Sequence, residues 1–405
     1  MNVPLLSIMK DLLSSGYRVT RETLRVFSDA LDNDPNSQIP PCADSISPEW
    51  LTSVMQVHAQ DVRVESVEPV SEHFGTTTHV RISVTYNRAG EEAGLPKSFF
   101  LKLRPREVAT RIFVSLMNLP QAETKFYNDI SPQIASLVPK VYYARAKDRG
   151  SRFVILMEDL DAGNYYTKDV TNPCTLEEAR MVVRSLGQIH GRFWNSPRFK
   201  EDLDWLLIYE NDPNIRLNRL MRKMAFRRVI SNFDDVIPDQ LKQSCGFIDE
   251  SYDFLETYWS NPPHTLLHGD PHLGNLYFGK QGVGFFDWQV VRRGQGMRDV
   301  AYFIIQSLAT DLRRGHEKAL IQLYLDSLAA SGVSGPTFEK AWEQYRLHAF
   351  YAWIAVVITA AAGSSLQSEA IGRTGLKCVG TALIDLDSIG ILKSVREIGN
   401  RSGLK

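Results

Sequence analysis

His268-Gly269-Asp270-Pro271-His272-Leu273-Gly274-Asn275, with Asp287 following in Phe285-Phe286-Asp287-Trp288-Gln289, is the densest chemical signal in this 405-residue chain. Asp, Asn, Gly and Pro do gather in turns. Two histidines, two carboxylates and an amide in one such register are more than a turn requires. Leu276–Gly279 and Gly282–Trp288 read as strands on either side of Lys280-Gln281, so a hairpin should bring Asn275 and Asp287 side by side. Such a pair offers hard oxygens to Mg²⁺, which takes few protein ligands and leaves positions for water and phosphate. Asp270 is then free to accept a proton from an attacking hydroxyl.

Two other motifs compete for the same residues. Gly274 to Lys280 nearly spells a phosphate-binding P-loop, but Gln281 stands where Ser or Thr would hold the metal, and no helix follows. Asp270-Pro271-His272 resembles the Asp-x-His of metallophosphoesterases. Those enzymes need further ligand motifs downstream, where only His316 and His348 remain.

Composition narrows the class. Lys and Arg number 46 against 47 acids, which gives no support to nucleic-acid binding. Cys42, Cys174, Cys245 and Cys378 lie far apart without a CxxC pair. That excludes a disulfide scaffold or clustered zinc site and points to a reducing, cytoplasmic setting. The amino terminus has no basic n-region and does not read as a signal peptide. Ala349–Ala362 is apolar but short for a membrane span, and reads as a buried helix.

Residues 1–34 carry a helical period, and a breaker-rich linker follows. Ser47-Pro48-Glu49-Trp50 then opens a short helix. Val62 to Leu103 alternates as strands, a helix covers Ala122–Ile130, and two more strands reach Glu158. Beyond about residue 160 the period is helical, at Leu176–Trp194, Leu203–Tyr209, Arg216–Ile230, Gln240–Trp259 and from Val300 onward. One strand pair interrupts, at the hairpin after the motif. Strands followed by helices argue for an α+β protein.

The loop motif together with Phe-Phe-Asp287-Trp-Gln resembles the catalytic and metal-binding segments of the aminoglycoside phosphotransferase and choline kinase-like superfamily. The resemblance is nearest to its ecdysteroid-kinase-like branch. It implies a bilobal protein-kinase-like fold, with a small antiparallel-sheet N-lobe and a large helical C-lobe. Residues 1–47 would be a helical extension and linker, 48–157 the N-lobe and 158–405 the C-lobe with the acceptor site.

It also implies further parts, in order. Gly75, Thr76 and Thr77, between the first two strands, would cover the phosphates of ATP. Lys102, a charge inside the apolar strand Phe99–Leu103, would meet the α/β-phosphates and pair with Glu123 on the next helix. Glu158 and Leu160 would present main-chain groups to adenine. His268 and His272 would support the loop, as would Asp299 through hydrogen bonds. Trp288 and Gln289 are candidate acceptor contacts, with simple packing and capping as the alternative. ATP and Mg²⁺ are the implied cofactors.

Only twelve positions separate Asp287 from Asp299, no Ala-Pro-Glu segment follows, and Gly269 replaces the arginine of the protein-kinase loop. These features favour a small-molecule hydroxyl acceptor over a protein. Residues 301–405 hold nine acids against eleven Lys and Arg, without the acidic excess a polycationic aminoglycoside would need. Aromatics including Tyr302, Tyr345, Tyr351 and Trp353 permit a sterol, a macrolide or another apolar alcohol. The basic run Arg216 to Arg228 reads as a solvated helix face. The competing class is a catalytically silent nucleotide-binding module. Oligomeric state is left open.

Overall fold

The computed structural model describes residues 16–29, 38–147, 151–163, 165–280, 282–363 and 367–401. The chain divides into two compact units, Met1–Tyr166 with Phe286–Val290, and Thr167–Phe285 with Val291–Lys405. Of the amino-terminal helix expected over 1–34, residues 16–29 are helical, and the remainder lies outside the described residues.

The first unit is built on five antiparallel strands: β1 (Val64–Phe74), β2 (Thr78–Tyr86), β3 (Ser98–Leu103), β4 (Val141–Ala146) and β5 (Phe153–Glu158). Their spatial order is β1-β2-β3-β5-β4. Alternation sends Val80, Ile82 and Val84 of β2, with Phe99, Leu101 and Leu103 of β3, to one face. That face packs on Ile39, Ile46, Leu51 and Val54. Leu51 and Val54 belong to the helix Pro48–Met55, whose start is capped by the Ser47 hydroxyl accepting from the Trp50 amide at 3.2 Å. Burying each such side chain contributes about 1.5–3 kcal/mol. This helps to offset the cost of burying charge on the opposite face, where His79 pairs with Lys102 and Lys102 with Ile155.

The second unit is mainly helical. Leu176–Arg192 begins with a capping box between Thr175 and Glu178. It packs closely on Thr310–Ala330 because Gly187 and Gly191 face Ser327 and Ser331. A Cβ at either glycine would lie 2.5 Å from the facing serine Cβ. The strands Leu276–Gly279 and Gly282–Phe285 form the expected hairpin, Leu276 opposite Phe285.

Three details depart from the sequence reading. A second strand pair, Thr265–Leu267 with Arg292–Gly294, is too short to show a period of two. Leu203–Tyr209 is turn rather than helix. Gln240–Trp259 is broken into Asp239–Gln243, Cys245–Glu250 and Tyr252–Trp259. Among the described residues, Phe338–Ala362 is the one helix long and apolar enough to cross a membrane. It is a core helix of this unit. Tyr345 donates to Glu317 at 3.0 Å, and His348 meets Gln295 at 2.9 Å.

Candidate active site

Lys102 is 2% exposed at the centre of β3. A buried ammonium needs partners, and it has two. Its Nζ donates to Glu123 Oε1 at 2.7 Å and to Asp287 Oδ1 at 2.8 Å. Glu123 comes from the helix Leu119–Lys125, whose first turn contains Pro120. It also accepts the backbone N–H of Trp288. Burial lifts the Glu123 carboxyl above its ordinary range against the pull of Lys102. Burial works to lower Lys102, but Asp287 and Glu123 outweigh it and hold the ammonium above its usual value.

One cation between two carboxylates leaves a surplus negative charge whenever Glu123 is ionised, and burial opposes that ionisation. The Asp287 side chain, 21% exposed, is the carboxylate open to solvent. Its φ of 64° lies in the left-handed region, which costs a non-glycine residue about 1–3 kcal/mol and is often found at functional sites. Gln289 Nε2 stands 3.5 Å from its Oδ2.

Trp288 takes the packing alternative rather than the acceptor contact: it is 0% exposed and stacked on Phe126 with centroids 3.9 Å apart, so it offers no surface to an acceptor. At the β1–β2 turn the Gly75 amide donates to Thr77 O at 3.1 Å. The Thr77 hydroxyl is engaged by His79 Nε2 at 2.7 Å. Burial, and secondarily Lys102, depress His79 to about 4, which keeps it neutral near pH 7. Thr76 lies between, half-buried.

At the end of β5, the Glu158 amide already donates to Lys140 O at 2.9 Å, and its carboxylate accepts from Lys140 N at 2.7 Å. Leu160 opens a short turn to Gly163. Arg81 pairs with Asp159 at 3.1 Å and also with Asp161, and thereby ties this segment to β2.

In the second unit the loop His268–Asn275 is held from several sides. Asp299, fully buried on the helix Met297–Ser307, accepts the amides of His268 at 2.6 Å and Gly269 at 3.1 Å. The Tyr351 hydroxyl, from the long core helix, donates to Gly269 O at 2.7 Å. Gly269 has φ 91°, a conformation that favours glycine. His268 Nδ1 accepts the Asp270 amide at 3.2 Å, and His272 Nδ1 accepts that of Gly274 at 3.0 Å.

The Asp270 side chain is 30% exposed, with His272 Nε2 3.5 Å from its Oδ2. Burial tends to raise its pKa. His272, hydrogen bonding from Tyr302 and the charge of His268 together hold it below the usual carboxylate value. Asn275 donates Nδ2 to Asp270 O at 2.9 Å and to Asp270 Oδ2 at 3.2 Å, which leaves Oδ1 as its acceptor oxygen.

Asp287 in the first unit and Asn275 in the second each carry a hard oxygen of the kind Mg²⁺ takes. Among the described residues no group of three or more His, Cys, Asp or Glu is arranged to hold a metal.

The family model for the ecdysteroid kinase-like family matches residues 71–332, which include nearly all of these groups. The chain belongs to the ecdysteroid kinase-like family. A search of curated proteins found no match. Among solved structures, a choline kinase from Cryptosporidium parvum is similar with a TM-score of 0.51 at 12% identity. The alignment covers 85% of this chain and 97% of that one. A choline kinase from Streptococcus pneumoniae gives 0.46 at 13%, covering 85% and 98%. The GDP complex of an aminoglycoside 2'-phosphotransferase gives 0.45 at 10%, covering 87% and 98%. The fold of this ecdysteroid kinase-like protein is therefore α+β and protein-kinase-like.

Several contacts of this family member had no signature in the sequence. Tyr351 and Tyr302 touch the loop from positions 82 and 32 residues beyond their partners Gly269 and Asp270, inside helices where an aromatic reads as core. His79 and Arg81 alternate on β2 as ordinary polar positions. Only their cross-strand neighbours reveal that one faces Lys102 and the other Asp159.

Proposed function

We propose that this protein is an ATP- and Mg²⁺-dependent kinase that transfers the γ-phosphate to a hydroxyl of a small molecule in the cytoplasm. The observation that carries the reading is the buried Lys102 shared by Glu123 and Asp287. So costly an arrangement of charge has an evident use in binding a polyanion with its cation. Four free cysteines accord with the reducing location.

In this reading the residues have separate tasks. Lys102, kept protonated, meets the α/β-phosphates, and Glu123 fixes its position. Gly75, Thr76 and the main chain of their turn lie over the phosphates. The carbonyl of Glu158 and the main chain of Leu160 are the groups left for adenine. Asp287 and Asn275 would hold Mg²⁺, which when bound neutralises charge on the phosphates. Asp270, ionised because its pKa is depressed, orients the acceptor hydroxyl and takes its proton as the phosphoryl group transfers. Asp299, His268 and His272 hold the loop that presents Asp270. Gln289 is the acceptor contact that stays in the assignment. Apolar and aromatic side chains of the second unit suit a sterol, a macrolide or a similar alcohol.

The test is ADP release from Mg-ATP over a panel of sterols, macrolides, aminoglycosides, choline and sugars. Asp270→Asn should abolish acceptor-dependent release and retain nucleotide binding. Asp287→Asn should lose Mg-dependent nucleotide binding. Normal turnover by both variants would refute the assignment. Tight nucleotide binding by the wild type without release on any acceptor would favour a binding module instead.

A further inference from the structure

A cavity of about 100 Å³ lies in the first unit where β2 begins and β3 ends. Thr78 and Leu103, which pair across those strands and line it, alternate with His79 and Lys102. The cavity is therefore on the sheet face opposite the Lys102 cluster. Its walls are basic. Arg104, Arg106 and Arg111 line it, together with the exposed acids Asp44 and Glu72 and the ring of Phe74.

The three arginines differ in how they are occupied. Arg111 donates Nε to Pro105 O at 2.7 Å and Nη2 to Arg106 O at 3.0 Å, and so shapes the wall. Arg106 rests over the Phe74 ring at 4.9 Å. Among the described residues the Arg104 side chain shows no hydrogen bond or ion pair, and its Nε is buried without a partner. Neither Asp44 nor Glu72 pairs with it. Burial disfavours its charge, as do Arg111 and Arg152, with partial relief from Cys42 and Asp29. A half-desolvated guanidinium beside two like charges, with no direct ion pair, is short of negative charge.

We propose that this cavity binds a phosphate-class oxoanion, gripped by Arg104, at a site separate from the nucleotide-binding residues. The planar guanidinium fork matches two phosphate oxygens at once. The volume suits one tetrahedral oxoanion or a few waters. Phe74 and Thr78 flank the turn Gly75–Thr77, so an anion seated here braces that turn from behind. The site does not depend on the proposed transfer reaction.

The experiment is titration of the full chain with inorganic phosphate at constant ionic strength, followed by calorimetry and thermal unfolding. Phosphoserine runs in parallel. Wild type should bind and gain thermal stability with concentration, as mass action requires. The tighter of the two probes identifies the free ion or a phosphomonoester as the ligand.

Arg104→Gln should weaken binding at least tenfold. Because it removes an unpaired charge, it should unfold no lower than wild type without phosphate. Lys102→Met, which alters the opposite face, should bind phosphate as wild type does. Affinity within twofold of wild type in Arg104→Gln, or loss of binding in Lys102→Met alone, would overturn the proposal. Arg106→Gln provides a second, exposed position, and an unchanged affinity in both arginine variants would overturn it equally.

Discussion

Asp299→Asn keeps the shape of a buried side chain and removes its charge. The carboxylate now accepts two amides, from His268 at 2.6 Å and Gly269 at 3.1 Å, with His190 Nε2 a further 3.6 Å away. Hydrogen bonds to a charged group contribute about 1.5–3 kcal/mol each. Asparagine retains one acceptor oxygen, so one bond survives as a neutral bond of about 1 kcal/mol. The other amide meets an NH₂ group and is left unsatisfied, at a cost of about 1–3 kcal/mol. Relief of the buried charge returns part of this. The expected net loss is about 2–3 kcal/mol, or roughly 4–12 °C in the melting temperature of a unit this size. Urea unfolding would measure the loss. Amide exchange at His268 and Gly269 should accelerate more than at the far ends of the same unit. A loss below about 1 kcal/mol, with both amides as protected as in wild type, would refute the view that Asp299 holds the loop.

Two further outcomes follow from the same unit. Gly269→Ala places a Cβ on a residue with φ 91° and should cost about 1–3 kcal/mol in urea unfolding, and ADP release should fall with it. An unchanged midpoint would show that the loop relaxes freely. His348 is fully buried, and burial followed by Arg298 holds its pKa well below the ordinary histidine value. The unfolded chain then binds the extra proton first. Stability is full above about pH 6.5 and falls as pH drops below it, by up to about 1.4 kcal/mol per unit until the folded-state value is reached. His348→Gln should flatten that slope in urea midpoints taken from pH 7.5 to 5, and equal slopes in both proteins would reject the assignment.

The loop was legible because its reactive groups are packed into twenty consecutive positions and their types limit the chemistry. Lys102 was legible for a different reason. A charge inside the apolar run Phe99, Phe100, Leu101 and Leu103 needs a partner if it is buried, and the structure buries it. The role of Trp288 stayed open between acceptor contact and packing because its environment is set by Phe126, 162 positions earlier, and no local pattern reports that stack. Leu203–Tyr209 has a helical spacing of apolar residues, but Leu203 and Leu206 are buried from a turn, so tertiary contact overrode the period. The three-residue strands at Thr265 and Arg292 are simply too short to carry one.

The fully or partly buried charges of this chain fall into different thermodynamic classes. Asp299 is desolvated but satisfied by two amides of its own unit, so it stabilises the loop it holds. The Lys102 cluster is satisfied in its hydrogen bonds yet, whenever Glu123 is ionised, unbalanced by one negative charge. Arg104 is unbalanced in the opposite sense, without a partner among the described residues. A fold selected for stability alone would replace both imbalances by apolar side chains, which commonly gains stability. Their persistence on opposite faces of one sheet is explained if each is completed by a ligand of the matching sign: a cation with its polyanion on the Lys102 face, and an oxoanion on the Arg104 face. The turn Gly75–Thr77 adjoins both faces. Binding on either face therefore bears on the same few residues, and β2 and β3 are the rigid elements through which the two would be coupled.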